Sequence, residues 1–301
     1  MSQTLKLNII RPGLHTTIQD HGRKTYRAFG IPVSGPMDLI AATQANLLLG
    51  NPPHNPVLEF TIVGPDITLE GNGYGVLTGG EFETRLDQKP LTTHQVFTIK
   101  GTHRLSIGRV QAGCRGYLAA AGNWELSRWL GSCSTAAQNP DLLTPGSYIK
   151  KGTTITVLQS GPMSFPLVAP IVEPDSSPVI RILAGPEYDR FGTETIKEFL
   201  AKQFAVSSES NRMGYRLNPL LQNYSRPMDI ISAGVIPGTI QVTHSGQLII
   251  LMNDAQTTGG YPRIANVVSG DLSRLGQKAP GDQVKFKLIS LNEINNPDLS
   301  G

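Results

Sequence analysis

Residues 246–264 read GQLIILMNDAQTTGGYPRI. The apolar run from Leu248 to Met252 is shorter than a helix needs and predicts a buried strand. The polar stretch Asn253 to Tyr261 follows and ends in Gly259-Gly260. It carries a carboxylate (Asp254), a carboxamide (Gln256), two hydroxyls (Thr257, Thr258) and a phenol (Tyr261). Each needs a hydrogen-bond partner where it is buried. The glycines permit close backbone approach to a ligand, and Pro262 stiffens the exit. Two readings fit: a well-bonded hairpin turn, or a functional loop held on a rigid scaffold.

Outward from this stretch the chain is β-rich. Of 301 residues, 39% are hydrophobic and only 16% charged, with 32 glycines and 22 prolines. That balance favours many short strands joined by turns, in one large or two ordinary domains. A net charge of +3 without a Lys/Arg block gives no support for nucleic acid as a partner. Cys114 and Cys133 have neither zinc spacing nor a disulfide framework, so a reducing cytoplasmic compartment is expected and no metal site. The N-terminus MSQTLKLNIIRPG has no apolar signal core, and no run approaches the ~20 apolar residues of a membrane span.

In chain order, Leu5 to Ile10 predicts a first strand, ending at the turn Arg11-Pro12-Gly13. A polar loop from Leu14 to Arg23 follows. In it Arg23 is either a ligand for a carboxylate or phosphate or half of a surface pair with Asp20. Ser34-Gly35-Pro36-Met37-Asp38 opens a helix, with Pro36 at its first position, Asp38 in its first turn and Gly50 as its stop. From Val57 to Gly108 short strands alternate with glycine turns. Glu59 lies in an otherwise apolar strand and is a structural pair member or a site residue. Tyr117 to Ala121 and Thr153 to Leu158 predict further strands. Cys133 reads as a packed small residue, since no base accompanies it.

Pro162, Pro166, Pro170, Pro174 and Pro178 mark a linker. The expected domains are therefore 1–160, a linker at 161–178, a second β domain at 179–290 and a tail at 291–301. In the second half, Val179 to Leu183 predicts a strand and Glu194 to Phe204 a helix. SESNRMGYRL at 208–217 is chemically dense. Arg212 and Arg216 flank Met213-Gly214-Tyr215, which suits either an anionic ligand or a staple to a neighbouring acid. Asp271 is a plausible N-cap. GDQVKF at 281–286 echoes GTTITV at 152–157, hinting at two related β domains. The chain has no P-loop, no dinucleotide fingerprint and no nucleophile elbow.

Longer motifs go further. RPGLHTTIQDHGR (11–23), IPVSGPMD (31–38), ANLLLGN (45–51), LEFTIVGP (58–65), GYLAAAG (116–122), LGSCST (130–135), AGPEYDRF (184–191), SNRMGYRL (210–217) and LMNDAQTTGGYPRIA (251–265) occur in this order. Together they resemble the family of the 5-oxoprolinase C component, which also includes KipA-type proteins and part of the carboxyltransferase region of urea carboxylase. Some positions depart from the family pattern: Gly122-Asn123, the segment Ala136 to Tyr148, Thr243 and Leu248.

The resemblance implies a mainly β chain with a few short helices, built as two cyclophilin-like β-barrel domains. It implies a protein that works with a KipI-like B component and a separate A component of the 5-oxoprolinase. The complex would hydrolyse 5-oxoproline to glutamate at the expense of ATP, whose site is not located in this chain. The alternatives it leaves open are a biotin-dependent carboxyltransferase component and a non-enzymatic KipA-like antagonist of a kinase inhibitor. The expected substrate-facing residues are Asp254, Gln256, Thr257, Thr258 and Tyr261, with Asp254 the candidate general base. Arg212, Tyr215 and Arg216 would hold an anionic group, with Asp20 and Arg23 contributed by the first domain.

Overall fold

A computed structural model describes residues 3–159, 177–224 and 228–295. By its contacts the chain divides into two units, Met1–Thr25 with Val33–Pro174, and Tyr26–Pro32 with Asp175–Gly301. Most of the linker expected at 161–178 lies outside the described residues.

The first unit is a bent sheet. Strand β1 (Gln3–Arg11) alternates as expected, burying Leu5, Leu7 and Ile9. The polar loop expected from Leu14 to Arg23 is in part a strand, β2 (His15–Gln19). It is almost wholly buried because its polar groups find partners. The backbone pairs with β3 (Val57–Thr61), and the Gln19 carboxamide donates to Thr17 Oγ1 at 3.0 Å and accepts the Gly35 N–H at 3.0 Å.

Helix α1 (Leu39–Leu48) starts later than the proline at 36 suggests. Asp38 is its N-cap and accepts the Ala41 N–H at 3.0 Å. A short acceptor at that position satisfies an N–H the helix leaves orphaned. Gly50, at φ +66°, takes the left-handed conformation just past its end.

Of the short strands expected between Val57 and Gly108, the first is β3 and the rest are two long ones, β4 (Asp66–Leu86) and β6 (Phe97–Ala120), joined through β5 (Lys89–Pro90). Bulges bend them. Gly75 pairs with both Phe97 and Ala120, and a Cβ there would stand 2.6 Å from the Phe97 ring. Strands β7 (Asn123–Trp124) and β8 (Thr154–Gln159), with helix α2 (Pro140–Leu143) between them, complete the order β2-β3-β6-β4-β1-β8-β7. Glu59 proves structural. Its carboxylate accepts the Met37 N–H at 2.8 Å and the Tyr117 O–H at 2.9 Å, with Arg115 Nε 3.9 Å away.

The second unit is a closed barrel. Its strands are β9 (Val179–Ala184), β10 (Gln203–Val206), β11 (Gly214–Asn218), β13 (Thr239–Val242), β14 (Leu248–Leu251), β16 (Arg263–Val267) and β17 (Gln283–Leu288). They close in the order β10-β11-β14-β13-β16-β9-β17. β12 (Ala233–Gly234) and β15 (Thr258–Gly259) form a small separate ribbon. Alternation fills the barrel: Ile180, Ile182, Tyr215, Leu217, Ile240, Val242, Leu248 and Ile250 are buried.

Helix α3 (Thr193–Ala201) stops short of the expected Phe204. Phe204 lies in β10 opposite Val284 and is fully buried, so tertiary pairing overrides local helix preference. Asp271 lies inside α4 (Ser269–Gly276), whose N-cap is Val268. The carboxylate instead accepts from Arg181 Nη2 at 2.6 Å and from the Arg181 N–H at 2.8 Å. A last helix, α5 (Leu291–Asn295), occupies the start of the expected tail.

Candidate functional site

The strand expected from Leu248 to Met252 is β14, and it delivers the polar loop as its sequence suggests. At its end the chain runs beside the other dense stretch. Met252 N–H donates to Met213 O at 3.0 Å and Asp254 N–H to Arg212 O at 2.9 Å. The side chains then close on each other. Arg212 Nε donates to Asp254 Oδ2 at 2.7 Å and Nη2 to Oδ1 at 3.2 Å, with both groups nearly buried. A guanidinium and a carboxylate matched fork to fork satisfy the desolvated charges that neither carries cheaply alone. Arg212 therefore staples its loop to an acid, and that acid is Asp254.

Period two along β11 separates the remaining cluster. Tyr215 and Leu217 point into the barrel, whereas Gly214 and Arg216 lie on its outer wall. In register across that wall, Arg216 pairs with Ile249 and Ile249 with Gln241. The three side chains form a row on one face, with the Arg216 and Gln241 backbones about 10 Å apart across the strands, twice the strand spacing. A cavity of about 280 Å³ opens over this row, lined by Arg216, Ile249, Gln241 and Leu251 and by Gln256 and Tyr261 from the loop. Arg216 Nη1 donates to Gln247 Oε1 at 2.9 Å and Nε lies 3.9 Å from the exposed carboxylate of Glu209, which also lines the cavity, yet the Arg216 side chain remains 42% exposed.

The loop is fixed at several points. Val235 N–H donates to Thr257 O at 3.0 Å, and Thr258–Gly259 pairs with Ala233–Gly234. Gln241 Nε2 donates to Tyr261 O at 3.2 Å, and the Tyr261 ring stands edge-on to His244 at 5.7 Å. Beyond the loop, Arg263 donates to Glu187 from Nη2 at 2.6 Å and from Nε at 2.9 Å, and from Nη1 to Gly234 O at 2.9 Å. Those bonds to Arg263 hold the Glu187 carboxyl below the usual carboxylate range, against the opposing effect of burial. Gly185 makes this approach possible, since a Cβ there would lie 2.2 Å from Arg263 O.

The structure thus brings Arg216, Gln256 and Tyr261 to one cavity. It places Arg212 and Asp254 beside it as a closed pair, turns Tyr215 into the barrel core, and leaves Thr257 half-buried and Thr258 exposed on the loop. Asp20 and Arg23 belong to the first unit and are buried rather than a surface pair. Burial acts to raise the Asp20 pKa. Hydrogen bonds from the Ser132 and Ser134 hydroxyls and from the Cys133 and Gly22 N–H groups outweigh it and hold the carboxyl low. Arg23 donates to the Trp129, Ser132 and Ser134 carbonyls and lies 5.0 Å from the Trp129 ring centroid. Both residues organise the 129–135 segment. Burial, then the neighbouring Asp20 carboxylate, push the Cys133 thiol far up, which suits the packed residue expected there.

Gln241, Glu187 and Arg263 are absent from the expected site. Glu187 and Arg263 both lie in motifs quoted above, AGPEYDRF and LMNDAQTTGGYPRIA. The signal for Gln241 was a lone carboxamide in the apolar strand TIQV. Among the described residues no group of three or more His, Cys, Asp or Glu side chains is placed to hold a metal ion. No helix there is long and apolar enough to cross a membrane.

Residues 29–288 match the family model described as carboxyltransferase domain, subdomain A and B. The chain belongs to this family. It is 39% identical over 289 residues to the 5-oxoprolinase C component of Escherichia coli strain K12, covering 95% of this chain and 92% of that protein. The crystal structure of TTHA0988 superposes with a TM-score of 0.82 at 29% identity, over 94% of this chain and 55% of that one, so this chain spans about half its length. The crystal structure of the K. lactis urea amidolyase superposes with a TM-score of 0.84 at 27% identity, over 96% of this chain and 19% of that one. The mainly β fold with few helices is shared with these neighbours.

Proposed function

We propose that this chain is the C component of a multi-subunit, ATP-dependent 5-oxoprolinase of the cytoplasm, working with a KipI-like B component and an A component. The complex adds water across the lactam C–N bond of 5-oxo-L-proline to give L-glutamate, coupled to hydrolysis of ATP to ADP and phosphate. The observation that carries this reading is the 39% identity to a 5-oxoprolinase C component over nearly the whole of both chains.

The cavity on the barrel wall supports a share in substrate binding. Arg216 supplies a guanidinium for the substrate carboxylate, Ile249 and Leu251 an apolar floor, and Gln256 and Tyr261 polar groups for the lactam. Arg212 and Asp254 hold the two loops in register. The fit to ATP is poor: Arg216 is the only cation among the described residues lining the cavity, against a polyphosphate that needs several. ATP is therefore assigned to the assembly and not to this cavity.

The test is glutamate release from 5-oxoproline and ATP, with this chain mixed with homologues of the A and B components and each omitted in turn. Activity that requires all three supports the proposal, and the isolated chain is expected to turn over neither compound. A second reading, a carboxyltransferase component, draws support from the family description and the urea amidolyase superposition. Carboxyl transfer from carboxybiotin to urea by a complex inert toward 5-oxoproline would establish it instead.

A further inference from the structure

Gln241 is 1% exposed, sits on the cavity wall and serves no part of the barrel core. Its strand meets β16 through a register shift, with Ile240 opposite Ala265 but Gln241 opposite Arg263. Such a bulge re-aims the side chain at that position. The orientation of the carboxamide is forced by its neighbours. Tyr261 O can only accept, so the nitrogen must face it, at 3.2 Å. Gly259 stands at the same end: a Cβ there would lie 2.6 Å from Nε2 but 3.5 Å from Oε1. The loop thus closes over the amide nitrogen, which leaves the amide oxygen as the acceptor that this cavity-lining residue can offer a ligand. Across the wall, Ile249 separates this acceptor from the Arg216 donor.

We propose that Gln241 is a specificity residue of the cavity, whose amide oxygen accepts the N–H of a lactam or other secondary amide while Arg216 holds the ligand's carboxylate. The inference rests on the substrate-binding role given to the cavity above and adds the feature of the ligand it selects. An amide acceptor at this end of the row discriminates against ligands that lack the N–H, because the buried oxygen then loses its partner. Gly259 belongs to the same device, since any side chain at that position displaces the carboxamide it backs.

The reconstituted three-component complex provides the test, with the KM for 5-oxo-L-proline compared with the inhibition constant of N-methyl-5-oxo-L-proline, which keeps the carboxylate and lacks the N–H. The native complex is expected to prefer the N–H compound by about tenfold, the worth of one buried hydrogen bond. Gln241→Met is expected to bring the ratio close to one by raising the KM alone. Gly259→Ala, which keeps the glutamine but displaces its carboxamide, is expected to move the ratio the same way. Arg216→Gln is expected to weaken both compounds equally and leave the ratio unchanged. A ratio unaltered by Gln241→Met and Gly259→Ala, with Arg216→Gln still weakening both ligands, would overturn the role of Gln241 alone. No effect of Arg216→Gln on either ligand would overturn the cavity's role, and this inference with it.

Discussion

Arg212 and Asp254, 42 residues apart in sequence, share two hydrogen bonds of 2.7 and 3.2 Å, and neither side chain is more than 10% exposed. Each charge offsets part of the other's desolvation. Asp254→Ala removes the carboxylate that accepts two hydrogen bonds from a buried guanidinium and is expected to cost about 3–5 kcal/mol of stability. Replacing both residues, Arg212→Met with Asp254→Leu, is expected to recover most of that loss. Urea denaturation of the single and double variants measures the difference, and equal losses would show that the pairing itself carries no energy.

Arg216 predicts the opposite signature. It is partly exposed on the outer barrel wall, so Arg216→Gln is expected to shift stability by less than about 0.5 kcal/mol. A charged hydrogen bond to a carboxylate is worth roughly 1.5–3 kcal/mol, so affinity for 5-oxoproline is expected to fall by at least tenfold. Thermal unfolding and substrate affinity, measured on the same preparation, separate the two effects.

The Glu187–Arg263 pair gives a pH dependence with a definite sign. The folded-state pKa of Glu187 is depressed from its ordinary 4.5. The ionised pair therefore stabilises the fold fully above that value, and its contribution disappears as pH falls through the lower folded-state value. The stability gap between native protein and Glu187→Gln is expected to be constant from pH 6 to 8 and to narrow below about 4.5. A gap that widened on acidification would refute the assignment.

Cys114 and Cys133 form no disulfide, and both are buried. With its thiol pushed far up by burial and Asp20, Cys133 is expected to resist a thiol reagent at neutral pH until the chain unfolds. Rapid modification of Cys133 in the native protein, located by mass spectrometry, would contradict this packing.

Much of this arrangement was legible in the sequence, and the exceptions share a cause. β14 and its loop were readable because an apolar run followed by clustered polar groups and glycines is a local signal. β2 was hidden because Thr16, Thr17 and Gln19 are polar, and only partners distant in sequence make their burial tolerable. Local pattern alone puts Phe204 in a helix, because its pairing with β17 is equally remote in sequence. The assignment of Tyr26–Pro32 to the second unit has no local signature at all. At the site, the sequence singles out both members of the Arg212–Asp254 pair and offers a staple to an acid as one of two readings of Arg212, but it does not say which acid, because that partner lies 42 residues away. Tyr215 and Arg216 are neighbours in sequence and read as one cluster, whereas the pleat sends Arg216 to the wall and Tyr215 to the core. Gln241 went unmarked because its value depends on strand register with Ile249 and on Gly259, which no single window of sequence contains.

Binding of 5-oxoproline through Arg216, in the cavity beneath Gln256 and Tyr261, is tested by the KM for that substrate in the reconstituted complex carrying Arg216→Gln. Assembly is expected to be intact, ATP affinity unchanged and the KM at least tenfold higher. A KM equal to that of the native complex would contradict it.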